Sequence, residues 1–122
     1  MDESTLFNMF ANGTYNIENL RGKTFIVEIL LGFKYLGFDG RWTKTVRYRK
    51  LTGYNMLDKS IFGEFKILPG IWSGYQCVNL HYNSPMLSIE DYMRQVDEKT
   101  WLGVYVVGGH ITGWFRLREV VK

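Results

Sequence analysis

Apolar and polar residues alternate along most of this chain, so the two-residue period of a half-buried strand sets its character. Residues 24–38 are almost continuously strand-like, and Asp39-Gly40 then makes a two-residue turn into a second strand over 41–51. Aligned about that turn, Phe38 faces Arg41, Tyr35 faces Lys44, Phe33 faces Val46 and Leu31 faces Tyr48. Phe25, Val27, Ile29, Leu31, Phe33, Tyr35, Trp42, Lys44, Val46 and Tyr48 then share a core face. Arg41, Thr43, Thr45, Arg47 and Arg49 share the other. Ile26, Leu30 and Leu36 fall on the polar side, which a bulge at Gly32 or Gly37 would relieve.

The remaining segments extend the same pattern. Ser4 as a cap, Leu6, Met9 and Phe10 at helical spacing and a stop at Asn12-Gly13 predict a short N-terminal helix, a lid or plug. Residues 51–59 read as a loop, and a strand over 61–68 is stopped by Pro69-Gly70. The next strand runs to Asn83, with Tyr75, Cys77, Asn79 and His81 on one side and Gln76, Val78, Leu80 and Tyr82 on the other. Ser88-Ile89-Glu90-Asp91 has the form of a capping box and predicts a second short helix to about Val96. Residues 100–107 and 110–119 pair around Gly108-Gly109. Six or seven antiparallel strands with short connections leave no room for βαβ units, and they close into a small barrel, one domain over 1–122.

Composition narrows the chemistry. Among 122 residues a single cysteine excludes an internal disulfide framework, no Cys or His pair has zinc spacing, and neither metal nor cofactor is expected. The acidic start MDESTLF and the lack of an apolar run near about 18 residues predict a cytoplasmic chain, neither exported by a leader nor membrane-spanning. Aromatic residues make up 16% and suit an aromatic-lined interior. A net charge of +3 is a mild bias towards anions.

Lys44 stands out, because the alignment puts an amine on an otherwise apolar inward face, beside Tyr35 and Tyr48. Desolvated there, it would serve as a base, a donor to an enolate or a carbonyl-trapping amine; at a barrel mouth it would merely reach water. His81 and His110 are the only side chains titrating near neutrality: His81 joins the polar row of Tyr75, Cys77 and Asn79, and His110 opens a strand after a turn. Cys77 reads as a small core residue and Asp91 as a helix-start carboxylate. The last hairpin offers two faces. Leu102, Val104, Val106, Ile111, Phe115 and Leu117 form one; Trp101, Tyr105, His110, Thr112, Trp114 and Arg116 form the other, either a subunit interface or a cavity lining. Arg41, Arg47, Arg49 and Lys50, interleaved with Trp42 and Tyr48, suggest a single-strand nucleic-acid surface, but cations and rings separate onto opposite faces, which disfavours it.

Tyr82-Asn83 followed by Ile89-Glu90-Asp91-Tyr92-Met93-Arg94-Gln95-Val96-Asp97-Glu98-Lys99-Thr100-Trp101-Leu102-Gly103-Val104 resembles the C-terminal signature of the GXWXG family. Asn83 stands where that family usually shows an acid. The resemblance implies a small lipocalin-like (calycin-type) barrel and no particular activity. Together these readings predict a barrel, expected as a homodimer, that binds one hydrophobic small molecule. It acts either as a cofactor-independent isomerase or cyclase or as a carrier or sensor without chemistry. Lys44, Tyr48 and His81 would be the reacting groups, with Tyr35, Trp42, Tyr75, Tyr105, His110 and Trp114 around the substrate.

Overall fold

Each strand pairs with its neighbours in sequence until the last returns to the first. The computed structural model describes residues 2–32, 41–82 and 89–121. They form a closed antiparallel barrel in the order β1 (Thr24–Gly32), β2 (Trp42–Val46), β3 (Thr52–Leu57), β4 (Ser60–Trp72), β5 (Tyr75–Tyr82), β6 (Ile89–Asp97), β7 (Thr100–Val107) and β8 (His110–Glu119). This is the lipocalin-like antiparallel barrel expected. Among the described residues it has one α-helix, α1 (Glu3–Ala11), and a 3-10 turn (Ile17–Leu20), against the two short helices predicted.

Alternation builds two apolar layers. Phe25, Val27, Phe65, Leu80, Trp101 and Phe115 point into the barrel, and Leu20 of the 3-10 turn joins them from the end at which β1 begins. On the outside of the wall, Leu6 and Phe10 of α1 cover Cys77, Leu102, Val104 and Trp114. The helix therefore straps one outer face of the barrel. Its cap is Asp2, whose carboxylate accepts from Thr5 N at 2.8 Å, in place of Ser4.

The interior accommodates its rings by setting glycines beneath them. Gly53 pairs with Phe65 and Gly103 with Phe115, and a Cβ added at either glycine would overlap the facing ring. The β7–β8 turn falls on Gly108 and Gly109, both at positive φ (60° and 84°), as a two-residue hairpin turn of this kind requires.

Several expectations are corrected. Residues 89–96 form β6, because Asp91, Met93 and Gln95 alternate inwards against Glu90, Tyr92 and Arg94. The 51–59 segment contains β3. Pro69-Gly70 does not stop β4: β3 reaches only Lys66, so beyond it one edge of β4 has no ladder, and the missing proline N–H costs nothing. The β1–β2 register is Phe25 opposite Lys44, ten positions from the predicted alignment. Since ten is even, the inward set Phe25, Val27, Lys44 and Val46 is unchanged. The bulge in β1 lies between Ile29 and Leu31. Phe33, Tyr35, Leu36, Phe38 and Asp39-Gly40 fall outside the described residues, as do Asn83 to Ser88 and the side chain of Thr112.

In the last hairpin a bulge between Tyr105 and Val106 shifts the pairing by one. Trp101 and Tyr105 therefore share the interior with Phe115 and Leu117, while Leu102 and Val104 share the outer face with Trp114. Neither predicted set survives intact, and Trp114, 1% exposed beneath α1, offers no subunit interface.

Candidate functional site

The barrel interior holds a polar cluster towards the end opposite the 3-10 turn. Lys44 on β2 and Asn55 on β3 are direct cross-strand partners. Tyr82 ends β5, and Asp91 lies near the start of β6. The Lys44 ammonium donates to Asn55 Oδ1 at 2.7 Å and to the Tyr82 hydroxyl, and it lies 3.6 Å from Asp91 Oδ2. The Tyr82 hydroxyl in turn donates to Asp91 Oδ2 at 2.8 Å. Trp42 Nε1 donates to Asn55 Oδ1 at 3.0 Å. Lys44 is 2% exposed, Asn55 2% and Asp91 4%.

Aromatic faces surround the charge. The ammonium lies 5.3 Å from the centroid of the Trp42 ring and 5.3 Å from that of Phe65, within reach of their negative faces, while it meets Tyr82 at the hydroxyl. Tyr105 is the cross-strand partner of Asp91 and packs against the interior core. Gly63 stands opposite Asn55.

Burial sets the electrostatics. It holds the Lys44 ammonium below the usual lysine range, with Asp91 opposing the shift. It pushes the Asp91 carboxyl up, with Lys44 and Tyr82 opposing. Tyr82 is driven well above an ordinary phenol by burial and by the neighbouring carboxylate. Both members of the ion pair are thus pressed towards their neutral forms, which lowers the cost of moving a proton from Lys44 to Asp91. Tyr82, accepting from one and donating to the other, is the bridge for that movement.

Of the predicted site residues, Lys44, Trp42 and Tyr105 are inside the barrel. Tyr48 is 72% exposed on the outside, because the strand ends at Val46 and the chain turns away. His81 points outwards and pairs with Glu90 (Nδ1 to Oε1, 3.1 Å). Tyr75 packs against Phe7 and Phe10 of α1, Trp114 lies beneath the same helix, and His110 is exposed at the β7–β8 turn. Tyr35 lies outside the described residues. Asn55, Tyr82 and Asp91 were not singled out from the sequence as reacting groups. The signal available was alternation: Tyr82 follows Val78 and Leu80 on the face opposite His81, and Asp91 precedes Met93 at the same spacing. Glu28 faces outwards, paired with Arg116 and Arg118.

No family model matches the chain, and a search of curated proteins finds no match either. Among solved structures it is similar to a protein from Thermomonospora curvata, with a TM-score of 0.72 at 17% identity, over 99% of this chain and 89% of that one. At that identity the likeness shows the fold alone. Among the described residues, no helix is long and apolar enough to cross a membrane.

Proposed function

We propose that the barrel binds one small, largely apolar molecule against the Lys44–Tyr82–Asp91 relay and acts on it as a cofactor-independent isomerase or cyclase. The observation that carries this reading is the relay itself: an amine, a phenol and a carboxylate in one hydrogen-bonded line, buried among aromatic faces. A buried ion pair stabilises a fold no better than apolar side chains of the same volume, so its presence here favours a chemical use. Lys44 would donate to a carbonyl or enolate oxygen, and Asp91 would take a proton through Tyr82. Trp42, Phe65 and Tyr105 would hold the apolar body in a reactive conformation. Tyr82 and Asp91 also belong to the stretch that resembles the GXWXG signature, and we extend that resemblance to the site.

A second reading is a carrier that holds such a molecule at the same cluster without chemistry. It is favoured by the mutual satisfaction of the cluster, since Lys44 already has acceptors on Asn55, Tyr82 and Asp91.

Native mass spectrometry of the purified protein identifies a copurifying ligand, and turnover of that ligand is then followed in Lys44→Met and Asp91→Asn. The expected outcome is binding retained with turnover reduced by about 10²-fold or more, the usual loss for a positioned acid or base. Unchanged turnover overturns the catalytic reading; a ligand returned chemically unaltered by the parent protein selects the carrier.

A further inference from the structure

We infer that the outer wall of the barrel carries a second binding site, for a small molecule bearing two or three phosphate or sulfate charges. A pocket of about 480 Å³ lies over the β2–β3 connection and β4, lined by Arg47, Arg49, Lys50, Thr52, Glu64, Phe65 and Lys66. That volume falls within the about 300–1,000 Å³ of small-molecule sites. Four cations and one carboxylate give the pocket a formal charge of +3. Setting those five groups aside leaves eleven cations and eleven carboxylates in the rest of the chain, so the whole charge excess of the protein resides here.

The cations are arranged for capture. Arg47 is fixed: it donates to Thr52 Oγ1 at 3.1 Å, lies 3.8 Å from Glu64 and stacks over the Tyr54 ring at 5.1 Å. Arg49, Lys50 and Lys66 are exposed and make no ion pair among the described residues. Like charges gathered in a concavity raise the local potential and attract a multivalent anion, whose binding relieves their repulsion. A phosphate or sulfate suits this mixture, with a planar guanidinium for bidentate contact and flexible ammonium groups for the remaining oxygens. Phe65, the one aromatic residue of the lining, turns its ring into the barrel and is 2% exposed, and Tyr48 is not among the lining residues. A single-stranded nucleic acid needs rings on which bases stack, so the pocket favours a compact polyanion.

Isothermal titration calorimetry with pyrophosphate on the full chain tests the site. The expected result is one pyrophosphate per chain, with affinity falling as salt rises. Affinity should also fall by about tenfold or more in Arg49→Glu/Lys50→Glu, as for lost charge-assisted contacts. Lys44→Met should leave the affinity unchanged, which separates this site from the barrel interior. Both reversed positions are exposed, and Arg49→Gln/Lys50→Gln provides a milder version that must weaken binding in the same direction. Absence of binding at millimolar pyrophosphate, or equal affinity in the charge-reversed protein, overturns the proposal. An oligothymidylate that displaces pyrophosphate and covers several phosphates per chain overturns the small-ligand assignment in favour of a nucleic-acid surface.

Discussion

Lys44 and Asp91 meet across the full width of the barrel: their strands, β2 and β6, stand four apart in a ring of eight, and the ammonium lies 3.6 Å from Oδ2. Such a contact forms only when both walls are in place. Its attraction is set against the desolvation of two charges, and that balance governs the first two predictions.

Removing one partner strands the other. Asp91→Leu leaves the Lys44 ammonium buried without its counter-charge and is expected to cost about 3–5 kcal/mol, whereas Lys44→Met/Asp91→Leu is expected to be neutral or more stable by about 1–4 kcal/mol. Urea unfolding of the two variants and the parent measures both. A double variant as unstable as the single one contradicts the prediction.

The same pair shapes the pH profile. Asp91, raised by burial, keeps its proton in the folded protein at pH values where the unfolded chain has lost it. Its contribution to stability is complete below the ordinary value of 3.8 and fades as pH rises through the folded value. Lys44, lowered by burial, sheds its proton in the folded protein first, so stability increases with pH between its folded value and 10.5. Both effects leave the charged pair least favourable in the intermediate range. Thermal melts of the parent and the Lys44→Met/Asp91→Leu protein, compared from pH 3.8 to 10.5, should therefore differ most near the middle. A difference independent of pH would count against the shifts.

Ring-over-glycine packing is equally exposed to test. A Cβ on Gly103 would lie 2.8 Å from Cε1 of the buried Phe115 ring. Gly103→Ala is expected to destabilise the barrel by about 1–3 kcal/mol, the usual cost of overpacking, and Phe115→Leu in the same chain should recover part of it. Denaturant midpoints decide the matter; additive losses mean that the ring and the glycine are not coupled.

On the outer face, the Tyr92 hydroxyl donates to Glu90 Oε2 at 2.7 Å and holds that carboxyl below the usual glutamate range, with His81 contributing. Tyr92 itself is pushed up to about 12 by partial burial and by the carboxylate. Stability from Glu90 is present above its ordinary value of 4.5 and is lost as pH falls through the folded value. A carbon-13 titration should place Glu90 below 4.5, with Tyr92→Phe moving it upwards. A midpoint indifferent to that substitution removes the phenol as the cause.

The hairpin of β7 and β8 is legible to the residue, because two glycines at positive φ fix its turn, yet its faces are not, because one bulge inverts the alternation beyond Tyr105. β3 and β6 read as a loop and a helix for a common reason. Their inward positions are Gly53 and Asn55 in β3, and Asp91, Met93 and Gln95 in β6, so β3 has no apolar side chain at these positions and β6 only Met93, too little to announce a buried face. Lys44 was visible because its neighbours Trp42 and Val46 are apolar; Asn55 and Asp91 were hidden because they make their own strands look polar, whereas Tyr82 sat in a strand that was read but passed for an ordinary member of its apolar face. The site and the misread strands coincide, as expected where local pattern yields to chemistry.

Pairing of β1 with β8 has a consequence for biogenesis. The first strand to leave the ribosome waits for the last, so a nascent chain lacking residues 110–119 carries two bare edges, on β1 and β7. Emergence of β8 is then the event that seals the cylinder, and until it occurs those two edges are open to pairing with other chains.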